Sequence, residues 1–310
     1  PGGTDNDDCS IENPCKTIRH ASRKLRAGDT LYARGGTYRG RGGYNWRSAS
    51  GTASAPITFA AYPGETPVFD GGWDTEFFTV LMNNVSWIII RGLTIQHYST
   101  SEKGSGMLIY NGANNIIIED CRFLENGRRM NADHHIYFHR EAKDIIIRNN
   151  FMKDASGAAI HGWHGPNTKG VQIYNNVIIG GNWGIILADG GEDIDIHHNT
   201  LIGNKKAIDF SFSGADTTWG VRNAIAKNNI IAGASYGIHI GPMNYNDVRT
   251  DHNLIHDSDT QVRWGNNRWT LAQYRSNTQN AQQSLSVDPL FIDAGSDDYR
   301  LQAGSPACTG

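Results

Sequence analysis

A short apolar run ending in asparagine recurs along most of this chain, and that recurrence restricts the folds open to it. It reads IIIRNNFM over 145–152, VQIYNNVI over 171–178, IDIHHNTL over 194–201, AIAKNNII over 224–231 and VRTDHNLI over 248–255. Two degenerate copies, IIIRGLTI (88–95) and IIIEDCRF (116–123), lie upstream. The marker residues Asn150, Asn176, Asn199, Asn229 and Asn253 are spaced by 26, 23, 30 and 24 residues. Self-similarity of this size signals a solenoid, and the uneven spacing signals turns of variable length.

Each unit carries a second apolar run that starts near a small residue: GMLIYN at Gly106, HIYFHR at His135, AIHGWH at Ala159, GIILAD at Gly184, AIDFSF at Ala207 and GIHIGP at Gly237. Several short β-branched runs per period, separated by Gly, Asn and Asp, read as strands joined by tight turns. No long stretch has the three-and-four spacing of an amphipathic helix. The expected fold is all-β: a right-handed parallel β-helix in which each coil gives one strand to each sheet and successive coils lie about 4.8 Å apart. Asparagines at one position of successive coils are then expected to stack as a ladder.

One elongated domain is expected over 1–310, with an N-terminal cap and first strand in 1–40, coils in 41–259 and a capping segment in 260–310. Caps are needed because an open β-helix leaves strand edges and apolar interior uncovered. Helices are predicted over Thr17 to Arg26 and Arg268 to Asn277. With 28 Lys and Arg against 31 Asp and Glu, bulk charge does not favour nucleic acid, and no apolar run is long enough for a membrane span. A monomer is expected. Cys9 and Cys15 flank a short loop and are predicted to form a disulfide, which would suit a secreted, extracellular or periplasmic protein. Cys121 falls at the ladder position of its coil and reads as a buried thiol, while Cys308 has no assignment.

The segments PCKTIRHA, AGDTLYARGGTY, GTASAPITFAAYPGETPVFDG and DPLFIDAGSDDYRLQAGSPA, together with the repeated NN coils, resemble the secreted bacterial right-handed β-helix proteins of the pectin-lyase-like superfamily. The resemblance spans essentially the whole chain and implies the fold. It leaves the activity open among polysaccharide lyases, uronate epimerases, glycoside hydrolases and phage tail proteins. The catalytic signatures of the alginate and chondroitin lyases, mannuronan epimerases and polygalacturonases of this fold have no counterpart as written.

Alternation along the second run of each coil assigns sides. Ile136 and Phe138 should face the core, and His135, Tyr137 and His139 outward. In the next coil Ile160 and Gly162 should face in, and His161 and Trp163 out, with His164 at the strand end. Tyr137, His161, Ile186, Asp209 and His239 should form one outward row, with Asp189 at the end of its strand. The cluster of His134, His135, His139, His161 and His164 on two adjacent coils suggests a site for a linear polysaccharide or oligosaccharide.

β-Elimination on a uronate needs a base, an acid and a partner for the carboxylate. His139 or His161 is the expected base, Tyr137 the acid, Arg140 the carboxylate partner, and Trp163 a surface for a sugar ring. His135, His164, Asp189, His239 and Tyr110 are further candidate contacts. Three alternatives stand beside this reading. One is a glycoside hydrolase using Asp189 and Asp209, with Asp133 as a possible third carboxylate. Another is a metal site, with zinc on His135, His139 and His161 or calcium near the acidic run GGEDID. The last is a non-catalytic binding solenoid. The sequence requires no cofactor.

Overall fold

The computed structural model describes all residues except 1–2, 6–7, 40–43, 47–48, 103, 131, 164–166, 189, 212–219 and 309–310, and for 44–46 and 188 it describes the backbone alone. Among the described residues the strands form three long sheets, two of nine strands and one of ten, and a short antiparallel pair of Phe291–Asp293 with Asp298–Leu301. Within each long sheet, strands from successive coils pair in parallel and in register. This is the parallel β-helix that the sequence predicts.

The register explains why the apolar runs recur. Ile116, Ile145, Val171, Ile194, Ala224 and Val248 follow one another as neighbours in the first sheet. All six are buried, so each coil continues one apolar column. The third sheet faces the same core with Met107, Ile136, Ile160, Ile185 and Ile208. Gly162 belongs to this inward set: a Cβ there would lie 2.5 Å from the Phe138 ring, so the glycine makes room for that ring.

The paired asparagines have two different tasks. Asn149, Asn175 and Asn228 have φ of 56°, 54° and 53°, the left-handed conformation that asparagine tolerates better than most residues. His198 and His252 make the same turn in their coils, with φ of 54° and 52°. The second asparagine of each pair is the ladder residue. Asn176 Oδ1 accepts from Asn150 N and Nδ2, each at 3.0 Å, while Asn176 Nδ2 donates to Ile147 O and to Asn199 Oδ1. The pattern repeats through Asn229 to Asn253. All five ladder side chains are buried.

Both ends of the ladder are closed. Cys121 N donates to Asn150 Oδ1, which puts the cysteine at the head of the ladder, and burial pushes its thiol up to about 12. At the other end Asn253 N donates to Ser284 Oγ, so the C-terminal segment supplies the last acceptor.

The first helix is Ile18–Ser22, shorter than predicted, with Thr17 accepting from His20 N as its N-cap. The second is Leu271–Asn277, which buries Leu271 and Tyr274 against the core. Its start lies three residues beyond the predicted Arg268, because Asn267–Trp269 forms a strand antiparallel to Thr260–Trp264. A capping box on Thr270 and Gln273 fixes the helix start. Cys9 and Cys15 form the predicted disulfide.

Replacing Asn176 by Ala should destabilise the protein by ~3 kcal/mol, since several buried groups lose partners at ~1–3 kcal/mol each. Denaturant unfolding measures this, and a loss below ~0.5 kcal/mol would mean the ladder contributes little. Thiol titration of the unfolded, unreduced chain should find Cys121 and Cys308 free and Cys9 and Cys15 unreactive.

Candidate active site

The third sheet carries the candidate residues. Its register places Tyr137, His161, Ile186, Asp209 and His239 in one row, as expected, and extends that row to Arg263. A second row holds Tyr110, His139 and Trp163. The rings of the two rows interleave into a continuous stack. Centroids are 5.3 Å apart from Tyr110 to His139, 4.8 Å from His139 to Tyr137, 5.0 Å from Tyr137 to His161 and 5.6 Å from His161 to Trp163. Tyr110, Tyr137, His139 and Trp163 are half-buried, which leaves part of each ring on the surface.

Arg140 follows His139 directly and is exposed. Its φ is 48°, in the left-handed region that an arginine seldom adopts. One coil earlier Asn111 makes the same turn with φ of 58°. Arginine therefore stands where a cheaper turn residue is available.

His135 departs from the expected outward position. It is fully buried, its ring lies 5.9 Å from Phe123, and its two nitrogens contact Asn126 Nδ2 and Lys153 O at 3.1 Å each. The reason lies at the bend where the strand begins. There the alternation breaks, so that His135 and Ile136 both turn inward. Gly106, the residue before the register partner of Ile136, would likewise aim a Cβ at Phe123 and Asn126.

His134 comes to the outer face instead, and sequence reasoning gave it no role of its own. Ala158 N donates to His134 Nδ1 at 3.0 Å, so that nitrogen carries no proton. The neutral ring is then protonated at Nε2, which lies 2.9 Å from His161 Nδ1 and donates to it. Burial pushes His134 down to about 3 and His135 likewise. His161 Nδ1 is therefore occupied, its Nε2 is covered, and the residue is only 7% exposed. This corrects the expectation that His161 is an open base. The His134 and His161 rings, 5.2 and 5.0 Å from Tyr137, instead form a backing for the phenol.

Asp209 occupies the predicted row but is completely buried. Lys206 Nζ donates to Oδ2 at 2.7 Å and Ser211 N to Oδ1 at 2.9 Å. His239 Nδ1 lies 3.0 Å from Oδ1, an ion-pair contact rather than an aligned hydrogen bond. Burial alone would raise this carboxyl, but His239 and Lys206 outweigh it and hold it well below the ordinary carboxylate range. A glycosidase acid needs the opposite shift. Asp189 and His164, the other candidates near this face, lie outside the described residues.

Asp133 is also committed to structure. It accepts from Ser99 Oγ, Gly104 N and Arg128 N, and from Arg129 through both backbone and guanidinium.

The three-histidine metal site is not assembled, because His135 is in the core. Among the described residues the only His, Cys and carboxylate group close enough to share an ion is Cys9, Cys15 and His20, whose sulfurs are joined in the disulfide. The acidic run suggested for calcium forms the strand Glu192–His197 of the first sheet, so it belongs to another face. Lys206 and Trp183, which sequence reasoning passed over, are register partners on the third sheet with Lys206 Nζ 5.8 Å from the indole. The same break in alternation that turned His135 inward concealed them. Column-wise alignment of the strand starts was the signal that could have found them.

A family model described as a Pel9A-like, right handed beta helix region matches residues 1–268. The chain belongs to this family. It is 25% identical to the uncharacterized protein YwoF of Bacillus subtilis (strain 168) in an alignment covering 99% of this chain and 91% of that protein. Over 71 residues, 23% of this chain and 17% of the relative, it is 41% identical to pectate lyase PEL9 of Emericella nidulans. Among solved structures, pectate lyase Pel9A superposes with a TM-score of 0.60 at 13% identity, over 99% of this chain and 88% of that one. The alginate lyase from Paenibacillus sp. str. FPU-7 gives 0.58 at 18% identity, over 81% and 95%. At these identities the structural likeness is one of fold.

The buried neutral histidines set a pH dependence of stability. Their folded values of about 3 lie below the ordinary 6.5, so the unfolded chain binds protons that the folded one refuses. Their stabilisation is complete above pH 6.5 and is lost as the pH falls toward 3, approaching ~1.4 kcal/mol per pH unit for each histidine. The depressed carboxylates Asp133 and Asp209 add their loss only below the ordinary carboxylate range. Denaturant unfolding between pH 7 and 5 should therefore show falling stability. A flat profile would contradict the neutral assignment.

Proposed function

We propose that this protein is a polysaccharide lyase that cleaves a uronic-acid-containing polymer by β-elimination, with the polymer lying along the outer face of the third sheet. The observation that carries the reading is the half-exposed pair Tyr137 and His139, with rings 4.8 Å apart and Arg140 next in the chain. Membership of the Pel9A-like family and the local identity to a pectate lyase support it. The disulfide supports a protein that works outside the cytoplasm.

The chemistry divides among few groups. His139 takes the proton from C5, and because its Nδ1 is covered, Nε2 is the nitrogen that meets the sugar. The C5–H electron pair becomes the C4–C5 double bond as the C4–O4 bond breaks. Tyr137 gives its proton to the departing O4 and is restored by the proton that His139 has gained. The neutral His134 and His161 behind the phenol add no cation that would draw its proton away beforehand. Arg140 pairs with the uronate carboxylate and offsets the charge that builds as the C5 proton leaves. Trp163 and Tyr110 offer ring surfaces on either side of the pair.

Incubation with polygalacturonate and with alginate, reading ultraviolet absorbance and reducing ends together, tests this. Both signals should rise in step on one of these polymers. Exchanging His139 for Ala or Tyr137 for Phe should lower turnover by ~10²- to 10⁴-fold with little change in melting temperature. Reducing ends without absorbance would show hydrolysis instead. Binding without any product would leave a carbohydrate-binding solenoid.

A further inference from the structure

The far end of the same outer face carries two arginines in an unfavourable arrangement. Arg263 and Arg268 are direct cross-strand partners in the antiparallel pair formed by Thr260–Trp264 and Asn267–Trp269. Like charges directly opposite each other destabilise a strand pair. Neither guanidinium lies within ion-pair distance of a described carboxylate. Asp259 borders the same open cavity as Arg268 but makes no ion pair with it.

Both arginines are held against one ring. Their guanidinium carbons lie 5.3 and 5.6 Å from the centre of Tyr236, and Arg268 donates to the Tyr236 hydroxyl at 3.1 Å. Arg263 is further fixed by donating from Nε to Gly265 O at 3.1 Å. Among the described residues the two cations are thus positioned by neutral partners only, half-buried at Arg263 and exposed at Arg268. Lys206, the register partner of Tyr236, differs from them because its charge is already matched by Asp209.

The position along the solenoid is equally informative. Arg263 stands in the same row as His161, four coils further on, which corresponds to about 19 Å. Between them the face presents Trp183 and Tyr236, two partly buried rings.

We propose that Arg263, Arg268 and Tyr236 form an anion subsite that binds a carboxylate of the acidic polymer, several sugar units from the Tyr137 and His139 pair. The subsite rests on the reading that an acidic polysaccharide lies along this face. It makes affinity depend on chain length: a short uronide held at Tyr137 does not reach the arginines, whereas a longer one gains a charge-assisted contact. Arginine suits this task because its planar fork meets a carboxylate with two parallel hydrogen bonds.

Calorimetric titration of the full chain with a size series of oligogalacturonides and oligomannuronates, cleavage being blocked by Tyr137→Phe in every protein titrated, tests the proposal by binding, independently of turnover. Wild-type affinity should step up once the oligomer spans the four coils. The double variant Arg263→Gln/Arg268→Gln should lose that step, ~10- to 100-fold, while binding short oligomers as the wild type does. Arg263→Lys/Arg268→Lys should recover part of it. Oligomers with carboxyls reduced to alcohols should show no difference between wild type and variant, and free sulfate should not replace the long oligomer as ligand.

An unchanged step in the Gln variant, or an equal loss with the reduced oligomers, would overturn the subsite, and so would sulfate binding as tightly as the long oligomer. If the step appears and depends on the arginines while no lyase product forms, the catalytic reading fails and the subsite stands. If product forms but affinity ignores length, the subsite fails and the catalytic reading stands. Melting curves of both variants should match the wild type, so that lost binding is not lost fold.

Discussion

Every coil of a parallel solenoid must present the same cross-section as its neighbours, because each strand's backbone groups bond the coils above and below it. The asparagine ladder is where this chain enforces that constraint. A buried amide satisfies the neighbouring coil's backbone at one corner, and its own donors close on the next asparagine and on a strand carbonyl. A coil that slipped by one residue would leave those buried groups unpaired and turn its apolar set outward. With the corner held, the outer face of the third sheet becomes a surface on which side chains from different coils keep fixed distances.

That fixity lets side chains from different coils act together on one face. Tyr137 and His139 come from one strand, but His161, Trp163 and Tyr110 come from the coils on either side. The His134 to His161 relay shows how far the preorganisation extends: one backbone N–H at Ala158 fixes a tautomer, and that tautomer fixes the next. The two imidazoles behind the phenol are thus held in fixed neutral tautomers and place no positive charge beside it.

Much of this was legible in the sequence, for physical reasons. The ladder asparagines were readable because each ends the same apolar run whatever the length of the loops between them, and the row from Tyr137 to His239 because strand alternation has a fixed period of two. Alternation holds only inside a strand, however. At the bend before Ile136 it fails, so His135 turns into the core and His134 takes the outer face, against the simple period of two. Burial was the other limit. Asp209 and His161 are in the right row, but pairing with Lys206 and His134 withdraws them from the surface, and such contacts depend on the coil register rather than on any local pattern. The αL role of the first asparagine in each pair was likewise hidden, since a doublet does not reveal which member turns the chain.

The proposed substrate surface is the outer face of the third sheet. A crystal structure of the Tyr137→Phe variant with an acidic oligosaccharide tests it most directly. The expected result is a uronate over the ring stack, its C5 within ~3.2 Å of His139 Nε2 and its carboxylate on Arg140. A sugar bound on the first or second sheet, or confined to the cavity beside Trp269 and Leu271, would contradict it.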